Sequence, residues 1–233
     1  MASSYATRGL FGGAMRVQLP VELIDSSDLR QVPDHQEVFL SPTTLTSIIF
    51  EINDYVEQSD LPSSQHPTTT TTTTTRPDGT TTTTTTTVVN GNAARETAES
   101  DAEAAQHHFT DVISPPDTLA APLPRPQQVR LQSPSLAAYP AYILAANIRS
   151  YDTAHRAPQT ASSPNPLQSL VHQIQLLVRI QDYATDLCVR INVPLKELAD
   201  HSQAAAEAAF ARDVLARVVA TLDVVEFDLF GAQ

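Results

Sequence analysis

The sequence predicts an α+β fold in which an antiparallel sheet is covered by helices. Two runs of alternating character, residues 174–180 and 187–193, flank a short turn and read as a hairpin. Helix-like patterns stand both before and after the strands, the arrangement of a sheet with helices packed on it. No strand–helix–strand unit repeats along the chain, which argues against a doubly wound parallel sheet.

Residues 14–19 alternate: Met15, Val17 and Leu19 point one way, Arg16 and Gln18 the other. That is a half-buried strand, introduced by Gly12 and Gly13 and stopped by Pro20. Residues 36–40 form a second short strand. A helix is expected next. Ser41 suits a cap and Pro42 the first helical position, and Leu45, Ile48, Ile49, Ile52 and Val56 follow at the spacing of one buried face. On that helix Glu51 and Asp54, three apart, would lie side by side toward solvent. Residues 93–108 are acidic, alanine-rich and helix-like, with Phe109, Val112 and Ile113 arriving late and Pro115–Pro116 beyond.

In the second half, residues 142–148 are apolar on both faces, as in a central strand. The hairpin strands follow, and Pro194 ends the second. A long helix is expected over residues 199–222, with Ala211, Val214, Leu215, Val218, Val219 and Leu222 on one stripe. Two stretches interrupt this pattern. Residues 62–92 contain two threonine runs with nothing to bury and are expected to be a disordered insertion. Residues 152–169 are rich in Ala, Ser, Pro and Asn and read as a long hairpin loop. Residues 1–233 are thus read as one domain with two interruptions.

Charge and composition narrow the function. The 233 residues carry a net charge of −12, which disfavours nucleic acid as a partner. Residues 1–62 hold nine acidic against three basic side chains, so half of that charge sits in about a quarter of the chain. Cys188 is the single cysteine, which excludes a disulfide framework and a cysteine-based zinc site. The longest apolar run, residues 136–146, is broken by Pro140 and is far short of the roughly 20 residues that span a bilayer. No secretory leader is evident, so no membrane role and an intracellular location are expected.

The phosphate-cradling, dinucleotide and nucleophile-elbow motifs are absent, and no cofactor is expected. His107 and His108 are adjacent, so on a helix they diverge and do not share a metal. Cys188 stands mid-strand and reads as a core thiol. The remaining feature is a set of carboxylates. Asp25, Asp28, Asp34 and Glu37 lie before and within the second strand, and Glu51 and Asp54 on the element after it. Two neighbouring elements would bring them to one patch, either an ordinary solvated face or a surface for a basic partner.

One stretch is distinctive. Leu10-Phe11-Gly12-Gly13-Ala14, followed by residues 24–39 with the core Val32-Pro33-Asp34-His35-Gln36-Glu37-Val38, resembles the MOG family of Ran guanine nucleotide release factors. Residues 47–56, the run to Ile191-Asn192-Val193-Pro194-Leu195 and the close over residues 224–230 are similar too. The resemblance implies a sheet sandwiched between helices on both faces, as in the PsbP proteins. It also implies binding to the small GTPase Ran, release of its guanine nucleotide, and support of nuclear protein import from the nucleus and cytoplasm.

Family members use an acidic pair on the first helix, and Glu51 and Asp54 occupy the matching positions with their order exchanged. Asp34 and Glu37 fall in the most characteristic motif, with Asp25 and Asp28 beside it. The resemblance further implies a non-enzymatic monomer, in some cases joined by a further Ran-binding protein. The alternatives on the same fold are an acidic module with a non-GTPase partner, in ion-channel trafficking or as a scaffold, and a small enzyme with a polar pocket.

Overall fold

The structure is a computed structural model. It describes residues 4–57, 61, 68–75, 81–88, 93–151, 168–195, 198 and 201–231. Thirteen strands and two α-helices follow in chain order among them. They are β1 (Tyr5–Leu10), β2 (Met15–Pro20), β3 (Ile24–Asp25), β4 (Gln36–Leu40), β5 (Ser47–Asp54), β6 (Thr68–Thr75) and β7 (Thr81–Val88). Helix α1 (Ala93–Asp111), β8 (Thr118–Leu119), β9 (Gln127–Val129), β10 (Ala141–Tyr151), β11 (Gln168–Ile180) and β12 (Thr185–Pro194) come next. Helix α2 (His201–Thr221) and β13 (Asp223–Val224) complete the order.

The main sheet has eight strands. Its path runs β3-β4-β5-β12-β11-β10-β8, with β9 also on β10, and every pairing is antiparallel. The expected hairpin is β11–β12, in register from Val171↔Pro194 to Ile180↔Thr185. Its turn closes through Ala184 in the left-handed region at φ 45°. A three-stranded sheet, β1-β2-β13, stands apart. Met15, Val17 and Leu19 are buried in it and Arg16 is exposed, as the alternation requires. Strands β1, β3, β8, β9 and β13 carried no strand signal in the sequence reading. Three of them, β3, β8 and β13, have two residues each, too short for a period to declare itself.

The largest difference from expectation lies after Ser41. The segment expected to be a helix is strand β5, hairpinned on β4 from Gln36↔Glu51 to Leu40↔Ser47. The Ser41 hydroxyl does accept from the Thr44 backbone N–H at 3.3 Å, as a helix cap would. The chain nevertheless closes a loop, with Ser41 N–H donating to Thr46 O at 2.8 Å. Ile48, Phe50 and Ile52 then enter the main core. Phe50 lies off the helical stripe and is fully buried, whereas Leu45, on that stripe, is 62% exposed. Three β-branched or aromatic residues in a row, Ile48, Ile49 and Phe50, with Ile52 beyond, favour a strand on packing grounds.

Residues 62–92 were expected to lack order. Within them β6 and β7 pair as an antiparallel ladder from Thr68↔Val88 to Thr75↔Thr81, and neither pairs with any other described strand. Threonine is β-branched, and a run of it favours extended backbone over helix. Residues 152–167 of the expected long loop lie outside the described residues, and the strands on either side pair out to Tyr151↔Gln168.

Along β11 the side chains alternate between two environments. Ile174, Leu176, Val178 and Ile180 join a buried cluster with Leu187, Val189, Ile191 and Val193 of β12 and with Ala211, Val214, Leu215 and Val218 of α2. Leu177, in the opposite phase, clusters with Ala104 and Ala105 of α1, Tyr142 and Cys188. No helix among the described residues is long and apolar enough to cross a membrane.

Candidate functional site

A groove of about 430 Å³ opens where four turns and strand ends meet. Its walls come from the Phe11–Gly13 turn, the segment after β3, the start of β4 and Leu229 of the Phe227–Phe230 turn. The first turn depends on its glycines, with Gly12 at φ 68° and Gly13 at φ 100°. Strand β3 pairs only with Phe39 and Leu40, so no described strand pairs with the outer edge of β4 at residues 36–38, which line the groove.

Three of the anticipated carboxylates line it: Asp25, Asp34 and Glu37. The Asp25 Oδ1 accepts from the Ser27 N–H at 2.9 Å and the Ser27 hydroxyl at 2.7 Å, an Asx turn that starts the Ser26–Asp28 3-10 turn. Glu37 Oε1 accepts from the Phe11 N–H at 2.6 Å and ties β4 to the glycine turn. Asp34 is exposed. Phe11, Val32, Pro33, Val38 and Leu229 supply apolar wall between them. Carboxylates set among apolar walls suit a cationic side chain, whose aliphatic stem packs while its head is paired. Asp28 is exposed at the end of the 3-10 turn, beside the groove rather than in its lining.

The expected Glu51–Asp54 pair is not formed. On a strand, residues three apart point to opposite faces. Asp54 is exposed at the end of β5, whereas Glu51 is 9% exposed and points into a layer of buried charge. Its Oε2 is ion-paired with Arg190 Nη1. The Oε1 accepts from Gln36 Nε2 at 2.5 Å, and Asn53 Nδ2 lies 3.4 Å from Oε2. Burial alone would raise the Glu51 carboxyl, but the Arg190 charge and the bonds from Arg190, Gln36 and Asn53 hold it below the usual carboxylate range. The expectation of two solvent-facing carboxylates on one helix is thus corrected for Glu51, because the segment is a strand.

That layer continues under α1. Arg190 donates from Nε to Gln175 Oε1 at 3.3 Å and from Nη2 to His108 O at 3.2 Å. Gln175 Nε2 donates to Ala105 O at 2.8 Å. Arg179, almost wholly buried, pairs with Asp186 at 3.3 Å and Asp101 at 3.3 Å, donates to Val56 O at 2.8 Å, and lies over the Tyr55 ring at 3.8 Å. Asp186 Oδ2 also accepts from the Val56 N–H at 3.0 Å and lies 2.8 Å from His108 Nε2. Burial raises the Asp101 carboxyl, with Arg179 opposing.

Cys188 is opposite Glu51 in register, and burial pushes its thiol up to about 12, which suits a core residue and not a nucleophile. The His107 and His108 rings stand 5.8 Å apart and perpendicular. No group of three or more metal-ligating side chains assembles among the described residues.

Sequence reasoning found the groove's carboxylates but missed Gln36 and Arg190, which join it to the buried layer. A signal was present. Arg179 and Arg190 each stand mid-strand between apolar neighbours, and Glu51 does the same on β5. Isolated charges of opposite sign on neighbouring buried strands need each other as partners.

Fold and site define the class: an α+β protein of antiparallel sheets with an open, carboxylate-lined groove at a sheet edge. Residues 8–194 match the family described as Mog1, Ran-interacting Mog1 protein. The Ran guanine nucleotide release factor of Bos taurus is 30% identical over 190 residues, covering 81% of this chain and 75% of that protein. The protein of that name from Danio rerio is 48% identical over 52 residues, 22% of this chain and 28% of its own length. The chain thus spans about a quarter of that relative's length in the matched segment. The crystal structure of the Saccharomyces cerevisiae Ran-binding protein Mog1p superposes with a TM-score of 0.53 at 22% identity, covering 99% of this chain and 100% of that one. The chain belongs to the Mog1 family.

Proposed function

We propose that this protein binds the GTPase Ran and promotes release of its guanine nucleotide, in support of nuclear import, through the carboxylates around the groove. The observation that carries the reading is the convergence of Asp25, Asp34 and Glu37 on one open groove. It occurs in a chain whose family is described as Ran-interacting. Asp28 beside the groove and exposed Asp54 on β5 extend the same negative surface in this reading. Glu51 contributes from beneath.

The chemistry is competition for positive charge. A GTPase holds its nucleotide with a lysine, backbone N–H groups and Mg²⁺. Carboxylates docked beside these groups offer them an alternative partner, and nucleotide and release factor then lower each other's affinity by linkage. No covalent step is required, and the protein acts as a binding factor, not as an enzyme. Residues 1–233 serve as one monomeric domain, with helices covering both faces of the sheet, a layering that the alternating contacts of β11 support. It works in the nucleus and cytoplasm, with room for a further Ran-binding protein on the complex.

The test is release of labelled GTP from Ran, with the unmodified chain and with Asp34→Lys combined with Asp28→Lys. The unmodified chain accelerates release, and the double variant loses most of that acceleration. Acceleration unchanged by the double variant removes the carboxylate mechanism. A wild-type chain that neither binds nor accelerates removes the whole reading.

A further inference from the structure

We propose that Leu45, in the loop between β4 and β5, is an apolar anchor that inserts into a pocket on the partner protein. The proposal rests on the preceding reading, in which that partner is the GTPase, and adds a contact that charge does not supply.

Two observations meet at this residue. Its backbone lies in the left-handed region at φ 60°, and its side chain is 62% exposed. Glycine enters that region freely and Asn or Asp with some ease, whereas the Cβ of a leucine crowds the backbone there. An exposed leucine also forgoes burial of its side chain. Phe11 and Ala184 are the other non-glycine residues at positive φ among the described residues. Phe11 packs partly against the main core, and Ala184 closes the tight β11–β12 turn, so the fold supplies a reason for each. At Leu45 strain and exposure fall on one side chain, and the fold returns little packing for either.

The loop is held in this shape. Ser41 N–H donates to Thr46 O at 2.8 Å, and the Ser41 hydroxyl accepts from the Thr44 N–H at 3.3 Å. Glu207 on α2 accepts from the Thr44 and Thr46 hydroxyls, each at 2.6 Å. Thr46 is fully buried. The residues on either side of Leu45 are thus tied to α2, and the leucine is presented from a fixed place. A contact fixed before binding loses less conformational freedom when the complex forms.

The surroundings define the partner. Four of the six exposed large apolar side chains among the described residues, Val21, Ile24, Leu29 and Leu45, lie within residues 21–45. The same stretch carries Asp25, Asp28, Asp34 and Glu37. Ile24 is opposite Leu40 in register, next to Ser41 where the loop begins. Glu37, which lines the groove, is four residues before Ser41, about 13 Å along the strand, so one interface of ordinary size reaches both. Apolar side chains set among carboxylates fit a protein that has an apolar pocket beside basic side chains. A second copy of this chain would bring the same carboxylates against these, and like charges disfavour it. A bilayer fits poorly as well, because the chain carries a net charge of −12 and residues 41–46 include no Lys or Arg to meet anionic headgroups.

The experiment measures Ran Kd and the unfolding midpoint for the wild type, Leu45→Asn, Leu45→Met and Val112→Asn. Asn tolerates the left-handed backbone, so Leu45→Asn removes the strain together with the apolar side chain. Its midpoint stays level or rises by about 2 °C while its affinity falls about tenfold. Stability kept with affinity lost marks a residue that serves binding, since a leucine that packs inside the fold loses both. Leu45→Met keeps an apolar side chain and the wild-type Kd. Val112→Asn, at an exposed apolar side chain outside residues 21–45, also leaves Kd unchanged. Wild-type Kd in Leu45→Asn overturns the proposal. A midpoint that falls along with the affinity overturns it too, because Leu45 is then a structural residue. An equal loss in Val112→Asn overturns it as non-specific, and a wild-type dimer that Leu45→Asn dissociates reassigns the anchor to a second copy. A wild-type chain that does not bind Ran removes the preceding reading, an outcome distinct from wild-type binding with an ineffective Leu45→Asn.

Discussion

On β11 and β12, the side chains that cluster with α2 are all apolar, from Ile174 to Ile180 and from Leu187 to Val193 in alternate positions. The intervening positions include Gln175, Arg179, Asp186 and Arg190, and these bond with Asp101, Ala105 and His108 of α1. The same two strands therefore present two environments with different rules. Apolar contact is non-directional, so its contribution scales with area and tolerates small shifts. Each buried charge needs a particular partner in a particular place, and removing one partner leaves the other uncompensated. The ionic set therefore ties α1, β5, β11 and β12 into one geometry, and through Gln36 it extends to the groove.

Arg179→Ala gives the largest expected effect and tests that contrast most directly. It leaves Asp186 and Asp101 without their cation, and the Val56 carbonyl without its donor. Loss of a partner from a buried ionic set costs about 3–5 kcal/mol. Urea unfolding at neutral pH measures it. A cost typical of an exposed arginine, under about 0.5 kcal/mol, would place Arg179 outside any such network.

A smaller effect is expected from acid. The Glu51 carboxyl is lowered in the folded protein, after Arg190 and the surrounding donors overcome the burial that raises it. A depressed folded value means that its stabilisation is fully present above the unfolded carboxyl value of about 4.3. That stabilisation is lost as pH falls through the lower folded value. Glu51→Gln lacks this titration. The stability gap between wild type and variant is therefore constant above about pH 5 and narrows below about pH 4. Asp101, which burial raises, is present in both chains and cancels from the comparison. Unfolding followed from pH 7 to pH 3 reads the gap directly. A gap that stays constant to pH 3 would show Glu51 to be uncoupled from Arg190.

The apolar environment was legible in the sequence and the ionic one was not. Alternation marks Ile174, Leu176, Val178 and Ile180 without knowledge of their partners, because burial of a hydrocarbon needs only a phase. Helix α2 was readable for the same reason, and its stripe of Ala211, Val214, Leu215 and Val218 is buried. Strand β5 was misread because Leu45, Ile48, Ile49, Ile52 and Val56 fit a helical stripe, while Ile48, Phe50 and Ile52 fit a strand equally well. Short apolar runs leave that ambiguity open, and here the pairing with β4 and β12 decides it. The groove was legible as a list of acids at Asp25, Asp34 and Glu37. Which of the six carboxylates face solvent depended on strand register, which sequence spacing does not specify.

Asp54→Asn is the smallest expected effect, and it sharpens that last point. Asp54 and Glu51 are three apart, equal in charge and on one element, so a helix would expose both and make both substitutions nearly neutral. The strand separates them. Asp54 is exposed, and its substitution should change stability by less than about 0.5 kcal/mol, as for an ordinary surface site. Glu51→Gln strips a buried arginine of its counter-charge and should cost several times more. The ratio of the two costs, measured by urea unfolding under one set of conditions, reports the backbone geometry at residues 51–54. Equal and small costs would restore the helix with its paired carboxylates. A large cost at Glu51 beside a negligible one at Asp54 fits only an element whose side chains alternate.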